Sequence, residues 1–78
     1  MKTLVEYIIT SIVDYPDKVS IEEIKEENGF TRLILTVAPE DMGRVIGKQG
    51  RIINAIRDLV KVKAIIKKEK VLLTLKED

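Results

Sequence analysis

Two runs of helical period meet at Gly47-Lys48-Gln49-Gly50, and that interruption constrains the fold more than any other stretch of the chain. Met42, Val45 and Ile46 recur at helical spacing before it, and Ile52, Ile53 and Ile56 resume the period after it. Glycine accepts left-handed or tight-turn angles that a Cβ resists, so the pair reads as a sharp turn between two helices. The glycines also leave the main chain bare, so that another backbone can come close. The second helix starts at Gly50 or Arg51, and its free N–H groups and positive dipole end point back at the turn. Lys48 and Arg51 add full positive charge. Every local feature of this turn suits an anionic backbone.

A nucleotide-binding P-loop is the first alternative, and it fails on spacing. It needs four residues between its glycines and a Ser or Thr after the lysine. Here Arg44, Val45 and Ile46 alone separate Gly43 from Gly47, and Gln49 follows Lys48. No hydroxyl is offered to a magnesium ion, and the loop follows a helical pattern instead of a strand.

At 78 residues the chain is read as one domain, 1–78. A chain of this size buries only about 60–65% of its unfolded surface. It contains no cysteine and no histidine, which removes disulfides, thiolate metal sites and the commonest general base. No apolar run approaches the roughly 20 residues that span a bilayer, and no signal-peptide pattern opens the chain, so a cytoplasmic location is expected. The net charge of +1 hides a division between the two halves. Residues 1–41 carry four Lys/Arg against nine Asp/Glu, or −5, while residues 42–78 carry ten against four, or +6. A polyanion responds to such a local field rather than to the total.

The remaining elements follow from pattern. Thr3 and Glu6 have the spacing of a capping box, opening a helix with Leu4, Val5, Ile8, Ile9, Ile12 and Val13 on one face. Pro16 ends it. Val19 and Ile21 alternate with polar neighbours, but Ile24 falls out of phase, which predicts a strand with a bulge or bend near Glu23. Asn28-Gly29 is a hairpin signal, and the returning strand, 30–37, sets Thr31, Leu33, Leu35 and Val37 on one face. Pro39, Glu40 and Asp41 suit the first turn of the short helix before the glycine loop, and Gly43 is expected to allow close helix packing. In the third helix Ile52, Ile53, Ile56, Leu59 and Val60 face one side, and Arg51, Asn54, Arg57, Asp58 and Lys61 the other. Lys63 would fall within the apolar arc, so the helix is expected to end near Val62, leaving 62–70 ambiguous. Val71, Leu73 and Leu75 mark a last strand, and Glu77 and Asp78 are expected to fray.

The stretch Val45-Ile46-Gly47-Lys48-Gln49-Gly50-Arg51-Ile52 resembles the extended GXXG loop of KH domains, which clamps the backbone of about four single-stranded nucleotides. The order α-β-β-α-α-β is that of a type II KH domain. That resemblance implies an α+β fold, a three-stranded mixed sheet with three helices on one face, and a last strand parallel to 30–37. The whole chain looks like the small bacterial RNA-binding proteins of the KhpA family. The resemblance implies RNA contacts from Arg44, Ile46, Gly47, Lys48, Gln49, Gly50, Arg51, Ile53, Asn54 and Arg57, with Ile46 and Ile53 as core or groove floor more than as readers. It also implies a role in post-transcriptional regulation or as an RNA chaperone. Homodimers, or pairing with a larger KH-containing protein of the KhpB type, are the implied protein contacts. A scaffold with weak RNA affinity is the competing reading, and exposed Val62, Ile65 and Ile66 would serve it. Phe30, Tyr7 and Tyr15 are the only aromatics, none of them in the basic half, which argues against base stacking on a sheet as in RRM domains. The hydroxyl residues have no base nearby in sequence, and the acidic pairs have structural explanations. No catalytic residue, metal ligand, cofactor or enzymatic activity is expected.

Overall fold

The computed structural model of the chain describes residues 1–76, so the expectation that Glu77 and Asp78 fray lies outside the described residues. The elements are α1 (Lys2–Ile12), β1 (Ser20–Lys25), β2 (Phe30–Thr36), α2 (Met42–Ile46), α3 (Arg51–Ile66) and β3 (Lys70–Leu75). β1 and β2 form an antiparallel hairpin closed at Glu26–Gly29, where Gly29 alone takes a positive φ, of 85°. The Gly29 N–H donates to the Glu26 carbonyl at 3.2 Å and the Phe30 N–H to Asn28 Oδ1 at 3.1 Å, so both residues of the Asn-Gly signal take part in the turn. β3 pairs parallel to β2, giving sheet order β1-β2-β3. This is the α+β type II arrangement anticipated above.

Alternation along the strands divides the sheet into two unlike faces. Ile21, Leu33, Leu35 and Leu73 point to one side and are buried against Val5 and Ile9 of α1, Val45 of α2, and Ile53, Ile56 and Val60 of α3. The other side carries Ile24, Phe30, Arg32, Ile34, Lys70 and Leu72, with no helix over it. The expected bulge is absent. Pairing runs one-to-one from Ser20↔Thr36 to Lys25↔Thr31. Ile24 breaks phase because it belongs to this second face, so a regular strand accommodates it.

Two helix boundaries also differ from expectation. α1 starts two residues earlier than expected: Met1 is its N-cap, the Val5 N–H donates to the Met1 carbonyl, and no side chain caps the end. Thr3 therefore lies inside the helix and the capping box does not form. α3 runs past Val62 to Ile66. Its buried stripe is narrower than the wheel suggested, comprising Ile53, Ile56, Val60 and Ala64, so Lys63 stays in solvent and does not break it. Ile52 and Leu59, expected in the core, are exposed instead. The stop comes from backbone geometry. Lys68 takes φ 57°, its N–H donates to the Ile65 carbonyl and the Glu69 N–H to the Ala64 carbonyl, the two bonds of a Schellman cap. A lysine fills the left-handed position that usually holds glycine.

Candidate nucleic-acid interface

The glycine turn is built from three departures from ordinary backbone within four residues. Gly47 takes φ 75°, ψ 178°, Gln49 φ 57°, ψ 28°, and Gly50 φ 75°, ψ 13°, before Arg51 returns to helical angles. The Gly47 N–H closes α2 on the Gly43 carbonyl at 2.9 Å, and the Gly50 N–H donates to the Gly47 carbonyl at 3.2 Å. A Cβ on Gly47 would come within 2.6 Å of Ile52 Cγ1, so the loop lies directly against the first turn of α3. No side chain caps that helix start. Its amides therefore face a turn on which Lys48, Gln49 and Arg51 are all exposed. Gly43, by contrast, has open space where its Cβ would be, so the close packing expected there does not occur.

Beyond the loop, α3 presents three faces at about 100° per residue. One is the buried stripe. The second, formed by Asn54, Arg57, Asp58 and Lys61, borders a 230 Å³ groove whose other wall is Val71, Leu72 and Leu73 of β3. The third is an outer stripe of Ile52, Ala55, Leu59, Val62 and Ile66. Arg57 spans the groove: its Nε donates to the Leu73 carbonyl and its Nη1 to Asn54 Oδ1, each at 3.3 Å. The Lys76 N–H donates inward to the Leu35 carbonyl, so the polar groups of Leu73 and its alternate neighbours Val71 and Leu75 face the strand's outer edge. That edge lines the groove.

The structure thus brings Gly47, Lys48, Gln49, Gly50 and Arg51 together at the turn, with Asn54 and Arg57 continuing from it along α3. Ile46 is half-buried beside them. Ile53 is only 5% exposed and belongs to the core. Arg44, on α2 before the turn, is exposed and has its Nη2 3.1 Å from Asp14 Oδ2 on the α1–β1 connection, a pair open to solvent. That connection is fixed by Asp41, which is fully buried and accepts the Asp14 and Tyr15 N–H groups at 2.9 and 3.0 Å. Sequence reasoning saw Asp41 only as an acid at a helix start. Its partners lie more than two dozen residues away, and no local pattern marks them. The groove wall from Val71 to Leu73 was also missed as a site, although the parallel strand was anticipated. Among the described residues no cluster of acidic side chains is placed to hold a metal ion, and no helix is long and apolar enough to cross a membrane.

A helix–GXXG–helix turn packed on a β1-β2-β3 sheet with a parallel last strand defines a type II KH domain. The family model for the KhpA/KhpB KH domain matches residues 2–75. The chain is similar to the RNA-binding protein KhpA of Clostridium perfringens, 54% identical over 71 residues that cover 91% of this chain and 93% of that protein. It is also similar to the RNA-binding protein KhpA of Caldanaerobacter subterraneus subsp. tengcongensis, 51% identical over 74 residues, or 92% and 95% of the two chains. The chain belongs to the KhpA/KhpB family of KH domains.

Proposed function

We propose that this protein binds single-stranded RNA without catalysing a reaction on it, clamping the phosphate backbone at Gly47–Gly50 and laying bases in the groove between α3 and β3. The observation that carries this reading is the bare, positively charged turn abutting an uncapped helix start, together with relatives named for RNA binding. Lys48 and Arg51 supply charge, the amides at the start of α3 supply donors, and the edge groups of Val71 and Leu73 are within the same groove. Few nucleotides fit against one such domain, so affinity is modest and sequence preference low, as suits a cytoplasmic RNA chaperone or post-transcriptional regulator. Affinity falls with salt, with a log–log slope of about −0.7 for each of roughly two to four neutralised phosphates. A filter-binding or anisotropy series over salt concentration measures it. A flat response contradicts the clamp.

A second activity, protein association, is favoured by the outer stripe of α3. Ile52, Leu59, Val62 and Ile66 recur at three- and four-residue spacing and are all exposed, Val62 at 56% and Ile66 at 72%. Neighbouring exposed apolar side chains of this size mark contact surfaces. The stripe and the RNA groove lie on opposite flanks of α3, so association with a second copy, or with a larger KH protein of the KhpB type, leaves the groove open. Sedimentation equilibrium is expected to show a wild-type dimer and a folded monomer for Val62→Asp with Ile66→Asp. A wild type that stays monomeric at all concentrations removes self-association.

A further inference from the structure

The sequence places the sole phenylalanine in the acidic half, but the sheet register moves it beside the basic half. Phe30 pairs with Lys70, whose Nζ sits 5.8 Å from the ring centroid. The ring is on the helix-free face and is 39% exposed, in a 250 Å³ concavity that it shares with Arg32 and Leu72. Leu72, 51% exposed on the open face, also belongs to the lining of the groove between α3 and β3, so the two concavities meet across that residue at the sheet edge. Phe30 stands one strand in from the β3 edge, about 4.8 Å. An aromatic face, two flanking cations and a continuous path from the groove are the parts of a single-strand stacking site, where the base lies on the ring and its phosphate meets the cations. One cation is already partly engaged: Arg32 Nη2 is 3.2 Å from Glu26 Oε1, in an exposed pair that a phosphate can replace at little cost.

We infer that Phe30, with Lys70 and Arg32, forms a second RNA subsite on the open sheet face, stacking a base of the strand that has left the groove over Leu72. This rests on the single-stranded RNA reading above and extends it from the groove to the opposite face of the sheet. Bases stack on any aromatic face, so the subsite adds affinity and not sequence preference.

Oligonucleotide length separates the two sites. A homopolymeric RNA of about four nucleotides fills the groove alone, whereas one of about ten reaches Phe30. Phe30→Ala is expected to weaken the longer RNA about tenfold and leave the shorter one unchanged. Phe30→Leu, which keeps apolar bulk but no ring, repeats the loss in a folded protein. Phe30→Trp provides a fluorophore in a chain with no tryptophan, expected to be quenched by the longer RNA and not by the shorter. Equal losses for both lengths, no loss for the longer, or an unquenched tryptophan overturns the subsite while leaving groove binding intact. A wild type that binds neither length removes the RNA reading itself and the subsite with it.

Discussion

Gly47→Ala lowers the melting temperature by about 10–20 °C, the signature of losing roughly 2–4 kcal/mol in a domain of this size. Two costs combine. The angles of Gly47, φ 75° with ψ 178°, belong to a region that is essentially closed to residues with a Cβ. The added carbon would also lie 2.6 Å from Ile52 Cγ1, on a side chain anchored in the first turn of α3. Relief requires the loop to leave the helix start, which opens the turn and disturbs the packing around buried Val45 and Ile53. Gly43→Ala is the internal control. Its Cβ meets nothing within 4 Å and it sits inside α2, so the exchange stabilises by about 0.5–1 kcal/mol. Thermal unfolding of both variants checks the pair. An unchanged melting temperature for Gly47→Ala contradicts the loop geometry.

The glycine turn was legible from sequence because its cause is local: two residues without a Cβ between two apolar periods. The hairpin was legible for the same reason, while the parallel pairing of the last strand, which joins residues about 40 apart, came only from the resemblance to KH domains. What could not be read depends on tertiary context. Ile24 broke the alternation that predicts a strand, yet it does so by serving the open face of a regular one. The end of α3 was hidden because Lys68 adopts the left-handed angle that a glycine would have advertised. Ile52 and Leu59 have the period of core residues, but only the narrower stripe through Ala64 reaches the sheet. Asp41 reads as an acid at a helix start, whereas its partners, the Asp14 and Tyr15 N–H groups, are brought to it only by the fold. Composition located the charge correctly but hid the aromatic, since Phe30 reaches Lys70 through pairing between strands far apart in sequence.

Lys48→Asp combined with Gln49→Asp abolishes RNA binding and leaves the fold intact. Both side chains are exposed and make none of the turn's hydrogen bonds, which run between backbone groups of Gly43, Gly47 and Gly50. Aspartate also tolerates the left-handed angles of position 49 better than most residues do. The change moves three units of charge from favourable or neutral to repulsive beside the phosphates. At about 1 kcal/mol per close charge in water, affinity falls by more than about a hundredfold. The decisive measurement is fluorescence anisotropy of a labelled single-stranded RNA titrated with wild type and with the double variant, after circular dichroism shows both folded. Modest, salt-sensitive binding by the wild type and none by the variant is the expected result. A folded variant that binds as well as the wild type contradicts the clamp at Gly47–Gly50.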